Sequence, residues 1–466
     1  MKRTKIVATI GPASQNEKVL KELLLNGVNM ARLNFSHGNL VQKKEAIDLI
    51  RKVSEKLKLQ IAILADLPGP KIRLGEIDGI FKIKKGDILT FGTNGKTHLP
   101  IQFDFSNDVE EGQKIYLNDG LIALTIISSK NGVITAKALN NGWVTSRKGI
   151  NLPDTMFEGS TFTKEDRESA IFAIKEKCDF IALSFVQSAK DIKPLKDLIE
   201  KSGSKAKIIA KIEKPQAVEN IDEIIDIADS IMVARGDLAI ETSPAEVPLI
   251  QQKLIVLARQ HQKPVIVATQ MLESMIENPR PTRAEASDVA NAVLSQVDAV
   301  MLSAESASGN YPVEAVKTMN SIIENVEANP EFKRYIKINW EKINLNDLEF
   351  NAIVSSGASL AYRLKSPVIG VGTLTGKTAR QLSSFRPSAF IAAITSDDTT
   401  ARQLALSWGV IPNLITKAKD GKTLSKIMLD AIKTKRIAKK GTSIVLIWGS
   451  NTWVAGTTDT IKIVKV

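Results

Sequence analysis

Lys211-Ile212-Glu213 sets an ammonium and a carboxylate two positions apart at the end of an apolar run, Lys207–Ile212. Residues two apart on a strand face the same side, so the two charges point together. Taken alone, such a pair is most simply an ion pair. Asp237, which follows the next apolar run, could join Glu213 in holding a hard divalent cation. Mg²⁺ takes one or two carboxylates and fills its remaining positions with water and phosphate oxygens. Arg32, Arg73 and Lys211 would then face a multiply charged anion. Two carboxylates among three cations suggest phosphoryl transfer, where positioning and charge neutralisation are the main tasks.

Other chemically capable residues also follow short apolar runs. They are Asn34, Ser36 and His37; Asp66 and Lys71; Arg235 and Gly236; Thr269 and Gln270; Ser303 and Glu305. His37 reads equally as a ligand contact, a satisfied structural histidine or an exposed one. The three histidines, His37, His98 and His261, have no metal-ligand spacing, which argues against zinc chemistry. The single cysteine, Cys178, excludes an intramolecular disulfide and reads as core packing. Gly372-Thr373-Leu374-Thr375-Gly376-Lys377-Thr378 is one residue short of a Walker A loop. It follows a strand and opens a helix, so it reads either as a different phosphate cradle or as a Thr-capped helix start.

The elements that must position these residues are short apolar strands, each followed by an amphipathic helix. Eight strands are expected: Lys5–Ile10, Val28–Leu33, Ile61–Ala65, Phe180–Ser184, Lys207–Ile212, Ser230–Val233, Val265–Ala268 and Ala299–Leu302. One helix is expected to start at Ser14, with Glu17 completing a capping box, and to stop at Gly27; another starts at Thr163 with Asp166. The pattern predicts a parallel (β/α)8 barrel rather than a doubly wound sheet. In a barrel the residues after the carboxyl ends of the strands converge on one mouth. From about Pro68 to Phe157 the pattern changes to alternating strands with turns at Asn118-Asp119-Gly120, Asn131-Gly132 and Asn141-Gly142. This predicts an inserted antiparallel β-barrel lid, hinged at Pro68, Gly69 and Pro70 and at Pro153 and Gly159. Glu331 to Leu348 reads as a polar linker, and a C-terminal α/β domain follows, with strands at Val368–Gly372, Phe390–Thr395 and Ile444–Trp448. The predicted domains are the catalytic barrel at 1–67 and 158–335, the lid at 68–157 and a regulatory domain at 350–466.

The chain has 466 residues, 43% of them apolar, and a formal charge of +12. That length suggests about three domains at ~150 residues each. The positive balance fits nucleic acid, a membrane surface, small anionic substrates or a lysine-rich proteome equally and decides little. No Lys/Arg run is long enough to read as a nucleic-acid arm, and neither nucleic acid nor membrane is expected as a partner. The start leads straight into a strand-like run without a signal peptide's apolar region. No apolar run approaches the ~18 residues of a spanning helix. A soluble, cytoplasmic protein is expected.

Several motifs together resemble the pyruvate kinase family. They are Thr9-Ile10-Gly11-Pro12-Ala13-Ser14, Ala31-Arg32-Leu33-Asn34-Phe35-Ser36-His37-Gly38 and Met232-Val233-Ala234-Arg235-Gly236-Asp237-Leu238. Ala268-Thr269-Gln270-Met271-Leu272-Glu273-Ser274-Met275 and Pro279-Arg280-Pro281-Thr282-Arg283-Ala284-Glu285 complete the set, in the family's order. The resemblance covers barrel, lid and C-terminal domain. It implies transfer of the phosphoryl group of phosphoenolpyruvate to ADP, giving pyruvate and ATP in the last step of glycolysis. It further implies Arg32 and Lys211 on the transferring group, and Glu213 and Asp237 on Mg²⁺ (or Mn²⁺). Gly236, Asp237 and Thr269 would hold the substrate carboxylate, with Thr269 near the protonation of the enolate. Pro12, Asn34, His37 and Arg73 would lie on the nucleotide side. A homotetramer is implied, with a sugar phosphate or a nucleoside monophosphate as effector at Thr373, Thr375, Gly376, Lys377 and Thr378.

The chain departs from the commonest family pattern in places. A lysine after the fourth strand is replaced near Gln187-Ser188, and Ala239, Ala286 and Ala304 stand for glycines. Many relatives bind K⁺ through the equivalents of Asn34, Ser36, Asp66 and the carbonyl of Leu67, and carry a glutamate where this chain has Lys71. Like charges a few Å apart repel by several kcal/mol at an effective dielectric of ~20, so Lys71 is expected to replace K⁺. Two other readings compete. One is a different metal-dependent barrel enzyme acting on phosphoenolpyruvate or an enolate, which would not need a lid with Arg73 at its hinge. The other is a regulatory or nucleic-acid-binding protein, which leaves Lys211, Glu213 and Asp237 unexplained.

Overall fold

Eight short parallel strands close into a barrel in sequence order: β1 Lys5–Thr9, β2 Val28–Asn34, β3 Ala62–Asp66, β4 Phe180–Leu183, β5 Lys207–Ile212, β6 Ser230–Ala234, β7 Val265–Ala268 and β8 Ala299–Leu302. The computed structural model describes residues 1–93, 97–156, 161–329, 331, 348–451 and 453–466. The strands are nearly continuous apolar runs because both of their faces are buried. Val7, Met30, Leu64, Ile209 and Met232 pack inside the barrel, while Ile6, Ile63 and Ile208 face the surrounding helices. Side chains alternate along a strand. Two residues on from the interior set, Thr9, Arg32, Asp66 and Lys211 therefore belong to the same inner face, at its carboxyl end. Asn34 and Asp66 are the last residues of β2 and β3, one position beyond the predicted strand ends.

Five helices of this layer bear on the site: α1 Glu17–Leu25, α2 Lys164–Lys175, α3 Arg235–Glu241, α4 Val247–Gln260 and α5 Arg283–Leu294. The cap of α1 is Asn16, whose side chain accepts from the Val19 N–H, and not Ser14. The Ser14 hydroxyl instead accepts from the Gly11 N–H at 3.1 Å, closing the turn ahead of the helix. The end of α1 is as expected, with Gly27 at φ +101°. Helix α2 carries the predicted capping box of Thr163 and Asp166. Cys178 is buried, and burial, with the adjacent Asp179 charge, pushes its thiol up to about 12, as suits packing.

Between β3 and β4 the chain forms a six-stranded sheet and a two-stranded one. All pairings are antiparallel except that of Ile88–Gly92 with Leu99–Pro100. Asn118, Asp119 and Gly120, and Asn131 with Gly132, take the positive φ values of tight hairpins. Asn141-Gly142 does not turn. Gly142 opens the strand Gly142–Val144, and a Cβ there would meet Ile122 at 2.6 Å, so this glycine serves close packing. Gly159, the distal hinge residue expected from sequence, lies outside the described residues, as does all of the expected linker except its ends, Glu331 and Leu348.

The C-terminal sheet contains β9 Val368–Gly372, β10 Phe390–Thr395, β11 Val410–Leu414, β12 Ser443–Gly449 and β13 Thr458–Lys465, in the order β11-β10-β9-β12-β13. Two of these were not anticipated. β11 contains Pro412, tolerated because the strand is an edge, and β13 is the antiparallel opposite edge. Helix α6, Lys377–Ser384, follows β9.

This layer docks on the amino-terminal end of the barrel. Leu406 joins the barrel's inner core from below. Buried carboxylates that precede barrel strands receive its cations. Asp179 accepts from Arg402 at 2.8 Å and from Arg51 at 2.7 Å. Asp298 accepts from Arg386 at 2.7 Å, and Lys5 donates to the Val410 carbonyl at 2.6 Å. Breaking one such pair leaves an uncompensated charge, at a cost of about 3–5 kcal/mol. Among the described residues no helix is long and apolar enough to cross a membrane.

Candidate active site

At the carboxyl end of the barrel one carboxylate organises two cations. Asp66 Oδ2 accepts from Arg32 Nε at 2.7 Å, and Oδ1 lies 3.3 Å from Lys211 Nζ. Lys211 Nζ also lies 2.9 Å from Glu213 Oε1 and donates to Ser184 Oγ at 2.8 Å. Ser184 in turn donates to the Leu67 carbonyl at 2.8 Å. Arg32 Nη1 donates to Thr9 Oγ1 at 2.9 Å. Glu213 Oε2 accepts from the Phe185 N–H at 2.7 Å. The carboxylates are 1% exposed, while Arg32 and Lys211 are 11% and 13% exposed. The cations therefore sit on top of the acids, at the edge of solvent.

The electrostatics follow from this layering. Burial alone would raise the Asp66 carboxyl, but Lys211 and Arg32 outweigh it and hold the group below the usual range. Burial alone would lower the Lys211 ammonium, but Asp66 and Glu213 outweigh it and push it well above its ordinary value. Glu213 is raised, by burial and by the nearby charge of Asp237, although Lys211 opposes both. Asp237, in the first turn of α3, makes no hydrogen bond or ion pair among the described residues. Asp237 is thus a hard oxygen donor without a cationic partner, close enough to Glu213 for their charges to interact, while Glu213 is already paired with Lys211. That suits a cation held partly by substrate, since no group of three or more metal-ligating side chains occurs among the described residues.

A second feature faces this cluster across the mouth. Thr269 and Gln270, after β7, take φ values of +67° and +54°, sparsely populated for residues with a side chain. Thr269 Oγ1 accepts from the Gly236 N–H at 2.8 Å and donates to the Ala268 carbonyl at 2.6 Å. The buried Arg235 guanidinium holds the turn. Nη2 donates to the Thr269 carbonyl at 2.7 Å, Nε to the Ala268 carbonyl at 3.3 Å, and Nη1 to Asp288 of α5 at 2.8 Å. Glu305 does not face the mouth. It is buried and accepts from the Ser303 and Leu272 N–H groups at 2.6 and 3.2 Å.

The structure thus brings together Arg32, Asp66, Lys211, Glu213 and Asp237, and separately joins Gly236 to Thr269. Asn34 sits beside Asp66 in register, and its side chain accepts from the Ser36 N–H at 3.1 Å. Pro12, Ser36 and His37 are exposed on the rim. Arg73 Nη1 donates to the Arg147 carbonyl within the insert, at 3.2 Å. Lys71 is exposed beside Gly149 and forms no ion pair with Asp66. Sequence reasoning gave no role to Thr9, Ser184 or Arg235. Thr9 and Arg235 did stand within the quoted motifs, whereas Ser184 was signalled only by its position at a strand end.

The family match decides what this mouth belongs to. The pyruvate kinase barrel domain family matches residues 1–316, and the pyruvate kinase alpha/beta domain family matches residues 351–464. The chain belongs to the pyruvate kinase family. It is 42% identical over 477 residues to the pyruvate kinase of Staphylococcus saprophyticus, covering 99% of this chain and 80% of the relative. It is 40% identical over 473 residues to that of Staphylococcus aureus strain MRSA252, with the same coverage. A crystal structure of a pyruvate kinase from Cryptosporidium parvum superposes with a TM-score of 0.94 at 32% identity, covering 100% of this chain and 96% of that one. Like other pyruvate kinases, the protein is a phosphotransferase.

Arg235→Lys keeps the charge but loses the planar fork that spans two carbonyls and a carboxylate. With Thr269 displaced, turnover should fall by about 10²-fold, the cost of a ~1 Å misplacement, while circular dichroism stays native. Native turnover in this variant would mean the turn holds its conformation without the guanidinium.

Proposed function

We propose that the protein transfers the phosphoryl group of phosphoenolpyruvate to ADP, yielding pyruvate and ATP as the last step of glycolysis in the cytoplasm. The observation that carries this reading is the Lys211 ammonium, fixed by Asp66 and Glu213 at the barrel mouth beside Arg32. Both cations are held by buried acids and keep an exposed face for an incoming anion. Lys211 and Arg32 would bind the phosphoryl group, and Lys211 would neutralise the charge that spreads over its oxygens during transfer. The bond from phosphorus to the enol oxygen breaks as a bond to a terminal oxygen of ADP forms. The enolate left behind takes a proton on its methylene carbon, through water near Thr269, and becomes the ketone. Loss of the enol makes the transfer favourable.

Gly236, Asp237 and Thr269 would receive the substrate carboxylate, the Gly236 N–H being already oriented by Thr269. Glu213 and Asp237 would hold Mg²⁺ or Mn²⁺, which when bound supplies positive charge to phosphate oxygens. Pro12, Asn34, His37 and Arg73 would line the nucleotide side, with the insert closing as a lid. For the C-terminal layer we favour a phosphorylated effector, a sugar phosphate or a nucleoside monophosphate, in a partly open cleft lined by Thr373, Thr375, Lys377 and Thr378. Gly376, at φ +79°, stands at the cap position of α6, and the Thr373 hydroxyl accepts from its N–H at 3.0 Å, so a threonine closes the loop just ahead of the helix. A homotetramer is the assembly we propose, on family resemblance alone.

Lys211→Met should lower turnover by about 10²-fold or more and change metal and phosphoenolpyruvate binding less. Near-native turnover would remove Lys211 from the reaction. Glu213→Gln and Asp237→Asn should each raise the Mg²⁺ concentration for half-maximal activity, and unchanged values in both would place the metal elsewhere. We further propose turnover without K⁺, because Lys71 stands where the family's glutamate would be. This requires the Lys71 ammonium to reach the Asn34–Asp66 group when substrates are bound. Activity in tetramethylammonium should match that in K⁺, and Lys71→Glu should gain K⁺ dependence. Strong K⁺ activation of the natural protein would refute it.

A further inference from the structure

We propose that a phosphoryl-type oxyanion binds between the barrel and the C-terminal layer, held by Arg259 and Lys263 on one side and Arg380 on the other. The cleft they line is small and partly open to solvent. Its enclosed space is far below that of sites for drug-sized ligands, so it suits an inorganic ion or the end group of a larger molecule. Arg259 lies in the last turn of α4 and Lys263 just after it, while Arg380 lies in α6.

The charges in the cleft do not balance. Arg259 has no side-chain hydrogen bond or ion pair among the described residues, and its Nε is buried without a partner. Lys263 donates only to the Ala228 carbonyl, at 2.7 Å, and Arg380 only to the Thr375 carbonyl, at 3.1 Å. Neither forms an ion pair among the described residues. The one carboxylate on the cleft wall is already committed. Asp298 takes Arg386 at 2.7 and 3.2 Å and the N–H groups of Trp408 and Val265 at 3.0 and 3.1 Å. Asp229, the next nearest in influence, pairs with Lys207 at 3.0 Å. Ser407 is 1% exposed, lines the same cleft, and buries its hydroxyl without a partner.

Partly buried cations packed together without a counter-charge are unfavourable. Burial, then Arg386, pushes Arg259 down to about 10. Burial also lowers Lys263, with Arg380 and Lys207 adding to the effect and Asp229 and Asp226 opposing it. An oxyanion between two guanidinium groups and an ammonium would supply the missing charge, accept from the forks and from Ser407, and reverse these shifts. It would also tie α4 of the barrel to the helix that begins at the Thr373–Thr378 loop. The inference is independent of the catalysed reaction.

Equilibrium dialysis of labelled inorganic phosphate against the intact protein tests it. The Arg259→Gln/Arg380→Gln variant should bind one phosphate fewer per chain, with turnover at saturating substrate unchanged. The site should survive in Arg259→Lys/Arg380→Lys and in the loop variant Thr375→Ala/Lys377→Ala/Thr378→Ala. If the double glutamine variant does not fold, Arg259→Gln alone should show the same loss. Parallel dialysis with glycerol 3-phosphate separates the sources. An arginine-dependent site filled by phosphate points to the free ion, and one filled only by the ester points to a terminal phosphate. Phosphate and ester binding that is the same in the glutamine variants, or absent from the natural protein, overturns the proposal and leaves a solvated basic cluster.

Discussion

A buried carboxylate stays charged only if something compensates it, and at this barrel mouth Asp66 is compensated twice. Its two oxygens face Arg32 and Lys211 from β2 and β5. The arrangement works in both directions. The cations keep Asp66 ionised, and Asp66 with Glu213 keeps Lys211 protonated although it is largely out of water. Cations fixed in this way have paid their ordering cost before substrate arrives, which is how preorganised electrostatics accelerates transfer. Every other part of the site is placed relative to this cluster.

The cluster depends on the barrel rather than on any loop. Register across β2 and β3 sets Asn34 against Asp66, and register across β5 and β6 sets Lys211 against Met232. The interior below is filled by Met30, Leu64, Ile209 and Met232, and Leu406 from the C-terminal layer seals the far end. That layer is bound through buried charge as well as apolar area. Asp179 and Asp298 each precede a barrel strand and each receive an arginine from it. A shift of this layer therefore acts on the amino-terminal ends of β4 and β8, which pair with the strands that carry Asp66 and Lys211 and lead to Thr269.

Much of this was legible in the sequence, because the chemistry lies on strands. Lys211 and Glu213 are two apart in a continuous apolar run, and that period fixes their common face before any fold is known. The eight strands were legible for the same reason. The motifs that resemble pyruvate kinase anticipated the family that the comparisons established. Three kinds of feature were not legible. The cap of α1 went to Ser14 rather than Asn16 because both are good caps and only the preceding turn decides between them. Edge strands such as Val410–Leu414 hide behind a proline that an edge tolerates. The support given by Ser184 and Arg235 depends on contacts between residues 27 and 33–35 positions apart, respectively, for which a single sequence carries no period.

The central claim is that this mouth moves a phosphoryl group from an enol phosphate to a nucleoside diphosphate without releasing it to water. Phosphorus NMR of the purified protein with phosphoenolpyruvate, ADP and Mg²⁺ tests it most directly. The account predicts that the phosphoenolpyruvate signal is replaced, one for one, by the γ-phosphate of ATP, with an equal amount of pyruvate. Loss of that signal into inorganic phosphate, or its persistence while the protein is folded and metal-replete, would contradict it.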